Sequence, residues 1–354
     1  MKFYIKHFKG TATEGGAVRN EAFFQYFRTR SDVRIMNVAS ANIFIRVINV
    51  LKFIVYFTFR RGDSIYMHMG GIFILFPTFL FRLNLSQFIF TLFDRISKNH
   101  GLHIDVNDLP FEQNNDLELP TSTFYQSFQK NLFKLKNIQF DFASHGMRSY
   151  AVEKYGVDAD KSYVVINGAD KLHKFDPTAY GFLQDLDVSR LRYVYVGSLN
   201  KGRQIEQLIQ IYEQSKHYLF LLGPGGHWID QILKQRRIEN IKYLGAFSDQ
   251  IALQIASLCD MGVIPYDDSR FYYNLCYPTK VSFYLASGLP ILSTPLLGTI
   301  NVLEQKEVAR FLSIDAWGNF IATNNRDALQ VLKQNVLIFR DHFYWHSILG
   351  GLNF

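Results

Sequence analysis

The chain has 354 residues, a length that favours two packed domains over one. Apolar residues make up 48% of the chain and charged residues only 19%, which excludes a disordered or solvating tail protein. Lys and Arg outnumber Asp and Glu by 38 to 31, a mild excess for this length. No basic run is interleaved with surface aromatics as in a known nucleic-acid-binding module, so we expect no nucleic-acid partner.

The aromatic share is high, at 16%, and raises the question of a membrane span. A spanning helix needs about 20 apolar residues in a row. The segment from Ile43 to Phe59 has a polar residue at every third position, which on a helix forms one polar stripe. These residues are Arg46, Asn49 and Lys52. The segment from Ile72 to Phe81 is too short and contains Pro77, so we predict no span.

The first eight residues lack the charged head and apolar run of a signal peptide and are better explained as a first strand. The two cysteines, Cys259 and Cys276, have no CxxC spacing and predict neither a disulfide framework nor a metal site. We therefore expect the protein in a reducing cytoplasm.

The first half of the chain alternates short apolar runs with longer segments of helical period. The runs predict strands at Lys2 to Lys6, Val33 to Val38, Ser64 to Met69, Leu102 to Val106, Phe140 to Ser144 and Ser162 to Ile166. The longer segments predict helices at Gly16 to Thr29, Ile43 to Phe59, Phe76 to Asn99, Thr121 to Lys136 and Met147 to Tyr155. Apolar periodicity then lapses between Gly168 and Ser189, which indicates a break between two domains.

The second half repeats this pattern with clearer glycine and proline boundaries. Strands are predicted at Tyr193 to Gly197, Tyr218 to Leu222, Ile241 to Gly245, Met261 to Pro265 and Pro290 to Thr294. Helices are predicted through Ile205 to Tyr212, Ile251 to Leu258 and Pro278 to Gly288. In the last of these, proline suits the first turn and glycine suits the end.

Strand, helix and strand at this spacing imply right-handed crossovers and parallel sheets. We therefore predict an α/β fold of two Rossmann-like domains facing across a cleft. The predicted domains are 1–172 and 173–335, with a C-terminal helix in 336–354 that crosses back to the first domain. In such sheets ligands bind beyond the carboxyl ends of the strands, where glycine-tipped loops let backbone approach a phosphate.

Three segments at or before the start of a predicted helix have residues suited to binding an anion: Gly10 to Gly16, Gly197 to Arg203 and Phe271 to Lys280. Gly10 to Gly16 lacks a spaced GxGxxG or GxxxxGK[ST], so a plain turn remains an equal alternative and a phosphate-loop NTPase is disfavoured. Gly197 to Arg203 supplies glycines, a hydroxyl and two cations. Lys280 lies in the first turn of its helix, where the helix dipole disfavours a cation, and this favours a role in anion binding. A solvated charge is the alternative for Arg203 and Lys280.

The segment from Asp260 to Pro265, followed by Asn274 and by Pro278 to Thr294, resembles the nucleotide-sugar segment of the GT-B glycosyltransferases. The resemblance extends, as an ordered set of motifs, over nearly the whole chain. Other similar segments are Phe142 to Met147, Glu153 to Gly156, Val165 to Asp170, Gly197 to Arg203, Gly223 to Gly226, His103 to Pro110 and the helix at Tyr344 and Trp345. Cys276 to Lys280 looks nearer to bacterial glucosyl- and galactofuranosyltransferases of the family-four-like type.

The resemblance implies transfer of a sugar from a nucleoside diphosphate donor. In the matching positions Arg203 and Lys280 would hold the diphosphate, and Asn274 would lie near the phosphates. Phe247 would lie near the base, while Gly15 and Gly16 would approach the sugar or phosphate from the first domain. The remaining donor-binding candidates are Ser198, Gly223 and Tyr273.

The catalytic group depends on the stereochemistry. Many relatives have two glutamates eight residues apart where this chain has Leu275 and Phe283, so the resemblance points to a glutamate-free variant. In an inverting reaction a carboxylate deprotonates the acceptor hydroxyl. Asp108 and Asp105, expected on the loop after a strand, are the candidates, and His68 follows another strand. For Asp108 a loop-capping role is an equal alternative. In a retaining reaction the donor phosphates can steer the acceptor without a side-chain nucleophile.

The expected donor is a UDP-sugar, which is a substrate, and no cofactor or metal is expected. Asp267 and Asp268 lack the strand-flanked spacing of a metal-binding pair. The expected acceptor is a saccharide or lipid-linked saccharide of bacterial surface polysaccharide or glycoconjugate synthesis. A catalytically silent subunit that stabilises a partner transferase is the main alternative. A nucleotide-sugar epimerase of the same fold is a third.

Basic residues lie among Phe-rich helices of the first domain. They are Arg46, Lys52, Arg60, Arg61, Lys130, Lys134 and Lys136. An amphipathic basic surface can bind anionic lipid, whereas solvated helix faces are the ordinary explanation of such charges, and both remain open. The first alternative predicts peripheral contact with the inner face of the plasma membrane.

Overall fold

A computed structural model describes residues 1–8, 15–40, 42–76, 80–81, 86–120, 123–173, 180, 183, 186–199 and 203–354. These residues form two compact units. The first unit comprises Met1–Ile166 and Ile348–Phe354, and the second comprises Asn167–Ser347. The chain thus passes to the second unit after residue 166 and returns at 348, where the sequence suggested 172 and 335.

The first unit is built on a six-stranded parallel sheet. Its strands are Lys2–Lys6 (β1), Val33–Asn37 (β2), Ser64–His68 (β3), Gly101–Val106 (β4), Ile138–Phe142 (β5) and Ser162–Val164 (β6). The strand order is β2-β1-β3-β4-β5-β6. Its helices are Gly15–Arg28 (α1), Ile43–Phe59 (α2), Met69–Leu75 (α3), Ser86–Asn99 (α4), Pro110–Asp116 (α5), Thr123–Phe133 (α6) and His145–Tyr155 (α7).

The second unit contains another six-stranded parallel sheet, in the order β12-β11-β10-β7-β8-β9. Its strands are Arg192–Val196 (β7), Tyr218–Leu222 (β8), Ile241–Gly245 (β9), Met261–Ile264 (β10), Ile291–Ser293 (β11) and Ala309–Phe311 (β12). The helices from here to the C-terminus are Ile205–Glu213 (α8), His227–Arg236 (α9), Asp249–Ser257 (α10), Phe271–Leu275 (α11), Thr279–Ala286 (α12), Leu297–Leu303 (α13), Trp317–Thr323 (α14), Arg326–Phe339 (α15) and Trp345–Gly350 (α16). The α/β fold of two Rossmann-like domains is therefore confirmed.

The strand sequences of the second unit suit a sheet that is covered on both faces. A parallel sheet between two helix layers needs continuous apolar strands, and β8 and β10 are buried at every position. In the first unit aromatic rings fill the space between sheet and helices. Tyr4 on β1 stacks on Phe27 of α1 at 4.9 Å between ring centroids, and Phe27 packs on Tyr66 of β3 at 5.1 Å.

The region after β3 differs from the prediction. A helix was expected from Phe76 to Asn99, whereas α3 ends at Leu75, residues 80–81 are helical and α4 begins at Ser86; residues 77–79 and 82–85 lie outside the described residues. A Cβ on Gly71 would lie 3.2 Å from His7 Cγ, so the glycine lets α3 pack closely on His7. The sequence does carry a boundary at this point, because Pro77 disfavours a helical conformation of Phe76, which is extended at the end of α3. Other elements were also not predicted, namely helices α5, α9, α11, α13, α14 and α15 and strand β12.

Helix α2 has the predicted bounds, and most of the residues that it exposes to solvent are apolar. Arg46 is half-buried, and its guanidinium donates to the carbonyl of Ile74 at 2.9 Å from Nε and 2.6 Å from Nη2. Phe53 and Phe57 are buried on the same side of the helix. The opposite side, which faces solvent, is apolar rather than polar.

Within the described part of the chain, no helix is both long enough and apolar enough to span a bilayer.

Candidate functional site

Two glycine turns lie side by side at the carboxyl ends of β7 and β8. Gly197 has φ +138° and Gly223 has φ +142°, a conformation that favours glycine. A Cβ on Gly223 would overlap the carbonyl of Gly197, so the turns pack backbone against backbone. The Gly197 N–H donates to Leu222 at 2.9 Å, and the Gly223 N–H donates to Gly245 at 2.8 Å. Both glycines are therefore required by the local geometry.

Two cations converge on one tyrosine next to these turns. The buried Lys280 ammonium donates to the Tyr266 hydroxyl at 2.8 Å, and Arg203 Nη1 donates to the same oxygen at 3.2 Å. A Cβ on Gly197 would lie only 2.5 Å from Lys280 Nζ, so this ammonium reaches the end of β7. Tyr266 follows β10, which pairs with β7. The side chains thus meet at the carboxyl edge of neighbouring strands, where α/β sheets bind ligands.

The cluster has an excess of positive charge. Among the described residues, no carboxylate lies within ion-pair distance of Lys280 or Arg203. Burial lowers the pKa of Lys280, which means that Tyr266 compensates its charged form only in part. Burial alone would raise the pKa of Tyr266, but the charges of Lys280 and Arg203 outweigh it and lower that pKa. A bound anion would supply the missing negative charge.

Tyr284 holds the helix that carries Lys280 in place. Its hydroxyl accepts from the Val196 N–H at 2.9 Å and donates to the Val263 carbonyl at 3.1 Å, bridging β7 and β10. Its ring covers Gly262, where a Cβ would overlap the ring atoms. Because Tyr284 is one turn after Lys280 on α12, these contacts fix the position from which Lys280 reaches Gly197.

The other predicted donor-binding residues of this unit surround the cluster to different degrees. The Tyr273 ring lies 4.8 Å from the ring of Tyr266, and the Ser198 carbonyl accepts from the Tyr195 hydroxyl at 3.0 Å. Phe247 is exposed on the loop after β9, the edge strand next to β8. The structure therefore groups Tyr273 with the cations and places Phe247 at the same sheet edge. Ser198 is connected to Lys280 through Tyr195, whose ring centroid lies 5.1 Å from Lys280 Nζ.

Asn274 is engaged by the protein itself. Its amide nitrogen donates to the carbonyls of Asp268 and Arg270 at 2.7 and 3.0 Å, and its oxygen accepts from the Leu297 N–H at 3.2 Å. A contact with phosphate would compete with these bonds. Asn274 thus ties together the loop before α11 and the start of α13, and its contact with donor stays a prediction.

The aspartate pair after β10 is part of a turn. Asp267 accepts from the Ser269 N–H at 3.0 Å and forms an ion pair with Arg270. Within the described ranges, no three His, Cys, Asp or Glu side chains are grouped so that they could hold a metal ion. Independence from a metal stays a prediction.

In the first unit, two of the predicted catalytic residues belong to one buried network. Arg19 binds Asp105 through Nε at 3.0 Å and Nη2 at 2.5 Å, and both side chains are fully buried. His68 Nδ1 lies 2.8 Å from Asp105 Oδ2, and His68 Nε2 shares a hydrogen bond with the Tyr4 hydroxyl at 2.9 Å. The pairing of His68 with Asp105 follows from the register of β3 and β4.

The placement of Asp105 corrects the sequence-based expectation of a loop residue, because Asp105 lies inside β4. Burial alone would raise its pKa, but Arg19 and His68 hold that pKa at about 2. A carboxylate with so low a pKa and two permanent partners is a weak base. The geometry instead suits Asp105 to orienting His68.

The remaining first-unit candidates are less enclosed. Asp108 is half-buried just before α5, where Asn107 Nδ2 donates to its carboxylate at 2.9 Å. Gly15 and Gly16 are the first residues of α1. The loop segment 9–14, which contains most of the predicted Gly10 to Gly16 loop, lies outside the described residues.

Asp141 gives this network a testable pH dependence. Burial, with the Asp105 charge, raises the pKa of Asp141 to about 7. Between the ordinary pKa of an aspartate and pH 7, the folded state keeps the Asp141 proton, whereas the unfolded chain releases it. The contribution of Asp141 to the free energy of unfolding therefore falls as the pH rises towards 7. We expect wild type to lose about 2–3 kcal/mol of unfolding free energy from this group between pH 5 and pH 8.

Asp141→Asn is expected to lack this loss, so its stability relative to wild type should increase with pH. Urea unfolding of both proteins at pH 5, 6, 7 and 8 measures the difference. A constant difference across these pH values would contradict the raised pKa.

Two residues of the sites were missed from sequence. Tyr266 connects the two cations, and its only signal was its position directly after the predicted strand Met261 to Pro265. Arg19 neutralises Asp105, but on α1 it looked like an ordinary helix residue.

No protein-family model matches the chain, and no curated protein matches it in sequence. Solved structures do resemble it. WaaG, a glycosyltransferase involved in lipopolysaccharide biosynthesis, has 12% sequence identity and a TM-score of 0.64, covering 98% of this chain and 97% of WaaG. Anabaena HepE in complex with UDP and glucose has 14% identity and a TM-score of 0.66, covering 98% and 97%.

Sucrose-phosphate synthase from Thermosynechococcus elongatus has 12% identity and a TM-score of 0.67, covering 98% of this chain and 96% of that enzyme. At such low identity the likeness concerns the fold, and it extends over essentially the full length of each chain. Together with the two parallel sheets, it shows that the chain has the two-domain α/β fold of the GT-B glycosyltransferases.

Proposed function

We propose that the protein is a glycosyltransferase that moves a sugar from a UDP-sugar to a saccharide or lipid-linked acceptor. The observation that carries this proposal is the pair Lys280 and Arg203, which meet at Tyr266 without a carboxylate partner among the described residues. A diphosphate matches this excess charge, and arginine can grip its oxygens in bidentate fashion. The fold shared with HepE, which was solved with UDP and glucose, supports the same assignment.

The chemistry explains why two cations are useful here. The bond between the sugar's anomeric carbon and the diphosphate oxygen breaks, a bond to the acceptor oxygen forms, and UDP leaves with added negative charge. Lys280 and Arg203 would stabilise that developing charge. We propose that they do so without a metal ion, and activity in the presence of EDTA tests this point.

In an inverting reaction the acceptor proton goes to a base, and we propose Asp108 for that role. A base must reach the acceptor hydroxyl, and Asp108 keeps partial exposure while Asp105 and His68 are buried. Asp105 and His68 are then positioning residues within the first unit. Surface polysaccharide or glycoconjugate synthesis is the proposed setting, supported by the fold shared with WaaG.

Lys280→Ala and Arg203→Ala are each expected to reduce sugar transfer or donor hydrolysis about tenfold to a hundredfold, because each removes a charged hydrogen bond to the leaving group. Asp108→Asn should reduce transfer while UDP still binds. The assay follows UDP release from a panel of UDP-sugars, with and without saccharide acceptors.

Arg236→Ala and Lys306→Ala, cations elsewhere on the second unit, are the matched controls and should retain wild-type activity. Unchanged activity in Lys280→Ala and Arg203→Ala would refute the diphosphate assignment.

A catalytically silent subunit is the second candidate, motivated by the apolar residues at the two glutamate positions. Phe283 packs against a buried cluster that includes Leu253 and Tyr344. This candidate would be favoured if wild type released UDP from none of the UDP-sugars and if another transferase co-purified with it.

A further inference from the structure

The solvent side of α2 is an apolar surface of a kind that folded proteins rarely leave uncovered. Phe44, Ile48, Leu51, Val55 and Phe59 are spaced by three or four residues and therefore form one stripe along the helix. All five are exposed, with Phe44 at 77% and Phe59 at 79% of their maximum. We call this stripe the α2 apolar face. Further exposed apolar residues beside it are Ile43, Ile45 and Val47.

The other side of α2 already belongs to the core of the first unit. Phe53 and Phe57 are fully buried, and Phe57 packs on Phe3 of β1 at 5.3 Å between ring centroids. Arg46 is held by the carbonyl of Ile74. The helix is therefore fixed along the surface of its unit, and the α2 apolar face cannot be its packing side.

The charged residues of the chain segment that contains this face have one sign. None of residues 33–62 is acidic, and this segment contains five cations: Arg34, Arg46, Lys52, Arg60 and Arg61. Lys52 is exposed at the border of the face, and Arg60 and Arg61 are exposed directly after the end of the helix. The α2 apolar face with its bordering cations is therefore complementary to a partner that has negative charges at its surface and an apolar layer directly beneath them.

We propose that the α2 apolar face docks on an anionic lipid bilayer, with α2 lying in the plane of the interface. Phe44, Leu51 and Phe59 would enter the region between headgroups and acyl chains, and Lys52, Arg60 and Arg61 would contact lipid phosphates. A span is not involved, since α2 has 17 residues and a core-facing side. A second copy of the chain fits this face less well, because a symmetric contact would bring the same cations of both copies together.

Vesicle flotation tests the proposal with the full-length protein. Wild type is expected to bind vesicles of phosphatidylcholine with 30% phosphatidylglycerol, in about 0.1 M salt, and to bind pure phosphatidylcholine at least about tenfold less. Phe44→Gln/Leu51→Gln/Phe59→Gln should reduce binding to the anionic vesicles at least about tenfold. Lys52→Gln/Arg60→Gln/Arg61→Gln should reduce it similarly and remove most of the salt dependence.

Two matched controls use equally exposed residues on helices of the second unit. Val331→Gln/Leu337→Gln/Ile338→Gln on α15 and Lys234→Gln/Arg236→Gln/Arg237→Gln at the end of α9 should bind vesicles as wild type does. All variants should bind UDP like wild type, so failure of lipid docking and failure of the proposed function are separate results.

The proposal is overturned if wild type does not bind the anionic vesicles. It is also overturned if both triple variants of the α2 region bind these vesicles as well as the control variants do. It is also overturned if light scattering shows a wild-type dimer that Phe44→Gln/Leu51→Gln/Phe59→Gln converts to a monomer, because the face would then be covered by a second copy.

Discussion

Asp105→Asn is expected to reduce the unfolding free energy by about 3–5 kcal/mol. Arg19 has no exposed surface, and its guanidinium makes two hydrogen bonds to the Asp105 carboxylate. Without this negative charge, the charge of the buried Arg19 guanidinium is compensated less well. His68 also loses the carboxylate that contacts its Nδ1. The sign of the effect follows from the desolvation of Arg19, which the asparagine amide offsets only in part.

Urea unfolding at pH 7 measures this loss. The three tryptophans, Trp228, Trp317 and Trp345, lie in the second unit, so their fluorescence follows that unit while circular dichroism follows both. The loss should be clearer by circular dichroism.

Asp32→Asn is the matched control, because Asp32 also pairs with an arginine but at the surface, and it should change stability little. The double variant Arg19→Met/Asp105→Leu should recover much of the loss, since it removes both buried charges. A single variant as stable as wild type would contradict the role assigned to this pair.

Gly197→Ala is expected to damage both stability and donor binding. The residue has φ +138°, and a Cβ would lie 2.5 Å from Lys280 Nζ and 2.6 Å from Cε. The strained backbone should reduce the unfolding free energy by about 1–3 kcal/mol. The displaced ammonium should weaken UDP binding about tenfold to a hundredfold, as in Lys280→Ala.

Thermal unfolding with and without UDP measures both effects, because a bound ligand raises the midpoint. Gly318→Ala is the control: its Cβ would meet no atom within 4 Å, and the residue lies in α14. This variant should match wild type or exceed it slightly in stability. A Gly197→Ala protein with wild-type UDP stabilisation would show that the Lys280 ammonium is not part of the site.

The cations of the candidate site could be predicted because their signal is local. Lys280 stood in the first turn of a helix and Arg203 in a loop after a strand, and both positions are visible in a linear pattern. Tyr266 could not be assigned in this way. Its contact with Arg203 depends on the pairing of β10 with β7, two strands that are far apart in the sequence.

The first unit illustrates the same limit in another form. His68 and Asp105 were predicted as separate candidates, and only the register of β3 and β4 places one opposite the other. The bounds of α2 were predicted correctly, whereas the sequence analysis did not predict which of its sides faces solvent. Because apolar residues occur all around this helix, the pattern alone does not say which side the core covers; packing of Phe53 and Phe57 decides it.

Calorimetric titration of UDP into wild type and Lys280→Ala, in buffer containing EDTA, tests most directly whether the cluster at Tyr266 binds the donor diphosphate. We expect one UDP to bind each wild-type chain, and binding at least about tenfold weaker in Lys280→Ala. No binding by wild type, or the same affinity in both proteins, would contradict the assignment.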